Sequence, residues 1–148
     1  MIGWTDIILR LCGAMLVGCA IGLNRDLHHK ATGMRTLGLV ALGSALAVLA
    51  IADDPQGVGR VIQGVITGIG FLGAGVILHP QTGGKVHGLT TAATIWVTAS
   101  LGILCGLAAW PIVGIAALLL LLLLTVGGPI EKWLHKCLGP DERSNTGE

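Results

Sequence analysis

The chain has 148 residues and a net charge of +1, with 53% hydrophobic and only 11% charged residues; its mean hydropathy is +0.81. A soluble domain carries roughly 25% charged residues, so a water-soluble fold of this size would lack the side chains to cover its own surface. The net charge of +1 says nothing about nucleic acid, and no basic face suggests it, so no nucleic-acid partner is expected.

A transmembrane helix needs roughly 20 apolar residues, and five stretches of about that length are separated by short polar or turn-forming breaks. The first covers residues 7–23, with Arg10 near its start. The second, 34–52, follows a basic loop and ends at Asp53-Asp54-Pro55. The third, 58–78, stops before His79-Pro80 and a Gly83-Gly84 turn. The fourth is 89–109. Pro111 then breaks the pattern, and 112–126 forms the fifth. Its unbroken leucine run, 118–124, offers no small residue for close packing and is expected to face lipid. After Gly127-Gly128-Pro129, the mixed segment 130–138 reads as a separate interfacial helix. The expected fold is an all-α, polytopic membrane bundle of five transmembrane helices. It forms one domain over 1–138, followed by a disordered cytoplasmic tail at 139–148.

Positive charge supplies a direction. With the N-terminus outside, the cytoplasmic side carries Arg25, Lys30, Arg35, Lys85, Lys132, Lys136 and Arg143, leaving Arg10 and Arg60 opposite. Trp4 and Trp110 then fall at the outer interface and Trp133 at the inner one, while Trp96 lies well inside the fourth span. Leu16-Val17-Gly18-Cys19 has the form of a lipoprotein cleavage box, a pattern that short apolar chains meet often. No A-x-A site ends the first apolar run, and a basic loop follows it, so the run is expected to be a span rather than a leader. Cys12, Cys19, Cys105 and Cys137 form no C-x-x-C pair and read as small apolar helix residues.

Three motifs concentrate the residues that can carry function. The loop after the first span brings Asn24, Arg25, Asp26, His28, His29, Arg35 and Thr36 against two membrane ends. A topology anchor explains its cations. His28-His29 is a candidate metal pair, although neighbouring helix residues do not face one way. The third span carries Arg60, then Gly64, Gly68, Gly70, Gly73 and Gly75. Its formal match to G-x-G-x-x-G lies in no βαβ unit and marks no dinucleotide site. Gly64 and Gly68 form G-x-x-x-G, which suits close helix packing; a helix broken there, with freed backbone groups coordinating an ion, is the alternative. The fourth span opens with Gly88-Leu89-Thr90-Thr91 and places Thr91, Thr94 and Thr98 on one face. Those hydroxyls either bond back to their own helix or line a polar path. Trp96, beside them, is expected to turn its N–H into the bundle.

No Asp or Glu lies deep in any span, which weighs against direct transport of a divalent cation. Carbonyls and hydroxyls also coordinate hard ions, so transport stays open. An enzyme acting on lipid would have only Asp26, His28 and His29 for a catalytic pair, and no enzyme and no cofactor is expected.

Together the motifs resemble the MgtC/SapB family of bacterial inner-membrane proteins. Residues 22–26 and 33–37 look like the family's Gly-Leu-Glu-Arg-Glu and Gly-Leu-Arg-Thr-His blocks, with Asn24, Asp26 and Leu37 as departures. The Gly-Ile-Gly-Phe-Leu-Gly-Ala-Gly signature stands intact at 68–75, and Gly-Leu-Thr-Thr-Ala-Ala-x-x-Trp at 88–96. The resemblance implies a role in magnesium homeostasis or stress adaptation. Some members are thought to modulate the F-type ATP synthase, and longer members add a soluble cytoplasmic domain. No P-loop is present, so an ATPase is not implied. Two expectations follow: a non-enzymatic protein acting through helix contacts with membrane partners, or a homo-oligomeric transporter or channel component for magnesium or another cation, its lining drawn from Asn24, Arg25, Thr91, Thr94 and Arg60.

Overall fold

The computed structural model describes residues 2–77 and 88–138. The turn expected at Gly83-Gly84, the last residue of the third apolar stretch and the tail at 139–148 lie outside them. Every regular element among the described residues is an α-helix: α1 (Trp4–Leu27), α2 (Met34–Leu49), α3 (Pro55–Ile77), α4 (Leu89–Gly106) and α5 (Trp110–Leu138).

The five apolar stretches become these five helices. By length and composition α1, α3, α4 and α5 can each cross a membrane, while α2 is apolar but shorter, at 16 residues. At 1.5 Å per residue α2 rises about 24 Å, against a hydrocarbon core of about 30 Å. The expected second span runs to residue 52, but its last residues form a turn instead. Asp54 explains that boundary. Its carboxylate accepts a hydrogen bond from the Gln56 N–H at 3.1 Å, and its carbonyl accepts the Val58 N–H at 3.0 Å. It thus caps α3, whose first residue is Pro55, the position where a missing N–H costs nothing.

Two helix ends share one device. At the end of α1, the His29 N–H donates to the Asp26 carbonyl and the Lys30 N–H to the Arg25 carbonyl. At the end of α4, Ala108 and Ala109 repeat the pattern onto Cys105 and Leu104. Both are Schellman ends, which require a left-handed residue at the first of the two positions. His29 (φ 52°) and Ala108 (φ 57°) supply it without being glycine. Histidine tolerates this region better than most side chains. In addition, its neighbour His28 shares a 2.7 Å hydrogen bond between Nδ1 and the Asn24 carbonyl. The histidine pair therefore terminates α1.

The far end of the chain corrects two expectations. Pro111 does not separate the fourth and fifth spans; α4 has already ended at Gly106, and Pro111 sits in the first turn of α5. Nor is 130–138 a separate helix, because α5 continues through Pro129 to Leu138. Stopping at the Gly-Gly-Pro would strand several carbonyls near the edge of the hydrocarbon core, whereas continuing forfeits one hydrogen bond.

Helix α4 is the hub and touches all four other helices; α1 and α2 pack closely beside it. The buried core joins Ala14 and Ile21 of α1, Leu37, Ala41 and Ala45 of α2, Ile95, Leu101 and Cys105 of α4, and Val113 of α5. Small residues set the spacing. A methyl group on Gly18 would stand 2.9 Å from both the Ala41 side chain and the Gly38 Cα, and one on Gly102 would collide with the Ala41 carbonyl. On α5, Leu118, Leu119, Leu122 and Leu123 are exposed, as expected of a lipid-facing run, while Leu120, Leu121 and Leu124 pack on the core.

Candidate functional site

The residues of the first and third motifs meet at one end of the bundle, where α1 finishes and α2 and α4 begin. Gly22 lets α1 lie against the start of α2, since a methyl group there would run into the backbone of Met34 and Gly33. Asp26, about one turn further along, reaches over Gly33 and accepts a hydrogen bond from the Met34 N–H at 2.9 Å. The N-terminus of α2 thereby receives a carboxylate, the charge its free N–H groups favour.

Arg25 points the other way, into the bundle. It is 4% exposed, and its Nη2 donates to the hydroxyl of Thr91 in the first turn of α4. Among the described residues its Nε has no partner, and neither does the buried hydroxyl of Thr32 in the α1–α2 loop. Among the described residues the one ion pair is Arg10–Asp6, at 2.6 Å near the opposite end. Arg10 also donates to the Gly106 carbonyl at 2.8 Å, placing a cation where the end of α4 favours one.

Thr91, Thr94 and Thr98 are buried on the α4 face that packs within the bundle. Thr94 donates to the Thr90 carbonyl at 2.7 Å and Thr98 to the Thr94 carbonyl at 2.8 Å. These hydroxyls bond back to their own helix, so they do not line an open polar path. Thr90 is exposed. Trp96 is 46% exposed, contrary to the expectation that its N–H enters the bundle. The small residues and threonines of α4 take the inner face, so the bulky indole is turned to the outer one.

Helix α3 is unbroken from Pro55 to Ile77, which removes the expected break as a source of ion ligands. Its glycines also depart from the close-packing expectation. Only Gly73 of the motif is buried, and a methyl group on it would stand 3.5 Å from the Ala92 side chain of α4; Gly64, Gly68, Gly70 and Gly75 meet nothing within 4 Å among the described residues. The close approaches lie instead at Gly18 and Gly22, and at Gly102 and Gly106, pairs with the same four-residue spacing that in Gly64 and Gly68 drew attention to α3. Asn24 is half-buried, and Arg35, Thr36 and Arg60 are exposed. Gly88 packs on the Val76 carbonyl, so the end of α3 lies beside the start of α4. Arg60, sixteen residues before Val76, therefore sits roughly 24 Å along the axis from the Arg25–Thr91 end and does not join it. Among the described residues no three His, Cys, Asp or Glu side chains converge as a metal site.

The MgtC family model matches residues 11–133. Protein SrpB of Synechococcus elongatus is 48% identical over 121 residues, covering 72% of this chain and 66% of that protein. Protein MgtC of Salmonella typhimurium is 46% identical over 101 residues, covering 68% of this chain and 43% of that protein. Protein MgtC of Brucella abortus is 44% identical over 98 residues, covering 65% and 40%. The chain thus spans less than two thirds of the length of these relatives. No solved structure matches it significantly. The matched region includes all three motifs, the Arg25–Thr91 end and the open glycine face, and the chain belongs to the MgtC family.

Proposed function

We propose that this chain is a non-enzymatic protein of the bacterial inner membrane that serves magnesium homeostasis or stress adaptation through lateral contacts between α3 and membrane partners. The observation that carries this reading is the open face of α3. Among the described residues nothing comes within 4 Å of a methyl group placed on Gly64, Gly68 or Gly75, and Gln63, Thr67 and Phe71 are exposed beside them. Lipid tails gain little from a glycine-lined, partly polar helix face. A second helix gains close backbone approach and interhelical hydrogen bonds there. The positive-inside rule puts the Arg25 end in the cytoplasm and the N-terminus outside. By family analogy the F-type ATP synthase is a candidate partner, and a second copy of this chain is another.

An ion pathway through a single copy finds less support. Thr94 and Thr98 are occupied by their own helix and Thr91 by Arg25, and the groove of about 430 Å³ beside Trp110 is lined mostly by apolar residues at the opposite end. The test is Gly64→Leu with Gly68→Leu. The double variant should insert and fold as the parent does, yet lose both partner co-purification and support of growth in low magnesium. Full retention of both would overturn the reading.

A further inference from the structure

Two helices begin at the same end of the bundle, and they are treated oppositely. The start of α2 receives the carboxylate of Asp26. The start of α4 receives the guanidinium of Arg25, with no acidic residue in its first turn and no side-chain cap from Gly88. A helix N-terminus is positive, so a cation there is repelled rather than held. The last turn of α1, to which Arg25 belongs, offsets part of that charge through its own carbonyl end.

The remainder has no counter-ion among the described residues. Arginine stays protonated in a protein, and a buried charge is tolerated when it is paired. Asp26 is committed to α2 and makes no ion pair with Arg25, and Asn24 is neutral. Residues 78–87, which join α3 to α4, contain no Asp or Glu and so add no carboxylate. Lys30 and Arg35, exposed at the same end, make it more positive still. Among the described residues the Nε of Arg25 is a buried donor without a partner, and the first-turn N–H groups of α4 have no acceptor within the helix.

We propose that the start of α4 and the buried Arg25, with Thr91, form a site for a phosphate oxyanion, supplied by a lipid headgroup or by free phosphate. Such an anion satisfies the guanidinium, the helix terminus and the Thr91 hydroxyl together, and arginine suits it through its planar, forked donors. This site is independent of the α3 face and stands or falls without it.

The test follows thermal unfolding of the full chain in non-ionic detergent by circular dichroism. Inorganic phosphate, phosphatidylglycerol and diacylglycerol are added separately, each against sodium chloride of equal ionic strength. A saturable rise in midpoint with phosphate assigns free phosphate. A rise with phosphatidylglycerol alone assigns the headgroup. Arg25→Lys, which keeps the charge and loses the fork, should weaken the half-saturating concentration by about tenfold. Thr91→Val should weaken it several-fold, and it keeps the test open if Arg25→Gln fails to fold. The proposal is overturned if neither phosphate source shifts the parent, or if Arg25→Lys and Thr91→Val respond as the parent does.

Discussion

Helices α3 and α4 lie side by side, and each carries one of the two intact signature motifs, yet they use small residues for opposite ends. Over its most apolar 18 residues α4 buries 56% and α3 only 6%. On α4, Gly102 and Gly106 bring the backbone against Ala41 and Ala45 of α2, and Thr94 and Thr98 fold their hydroxyls into the helix. On α3, Gly64, Gly68, Gly70 and Gly75 leave a surface bare of the described residues. A glycine-rich motif therefore does not reveal from its composition whether it builds the bundle or faces away from it. What decides is the angle at which the helix meets its neighbours.

That contrast is sharpest under leucine scanning. Gly102→Leu and Gly18→Leu should prevent native assembly, because the new side chain meets backbone rather than a movable side chain; a loss above about 3 kcal/mol is expected, read as failure to resist unfolding in detergent. Gly68→Leu, in open space, should leave the unfolding midpoint nearly unchanged. A smaller effect separates the two helix starts. Asp26→Ala removes the carboxylate from the start of α2 and should cost about 1 kcal/mol in chemical unfolding. Thr98→Val should cost less than about 1 kcal/mol and leave any function intact, since its hydroxyl serves its own helix; loss of function with stability retained would restore the polar-path reading. The smallest change has the opposite sign. Ala108→Gly and His29→Gly relieve left-handed backbone and should each stabilise by up to about 1 kcal/mol.

The helices themselves were legible, because runs of apolar residues this long have few alternatives in a chain this poor in charge. Their ends were less so. Gly127-Gly128-Pro129 reads as a break by rules drawn from soluble proteins, but leaving a helix at the edge of hydrocarbon strands more backbone than a proline does. Among the candidate residues, Thr91 and Thr94 lie on the buried face that their spacing predicts, whereas Trp96 does not. Arg25 could be read as a topology anchor, and no local pattern betrayed that its guanidinium turns inward to Thr91, 66 positions away. The packing glycines 18, 22, 102 and 106 carried the same spacing signal as α3, and only the neighbouring helices show which pairs are filled.

The most direct test of the α3 face uses Phe71, which is 83% exposed, against Leu123 of α5, which is 66% exposed. A photoreactive phenylalanine analogue is placed at each position in native membranes and activated by light. Phe71 should give a discrete protein adduct, either a second copy or a partner identified by mass spectrometry, while Leu123 gives lipid adducts alone. Lipid adducts alone at both positions would contradict a protein-binding role for α3.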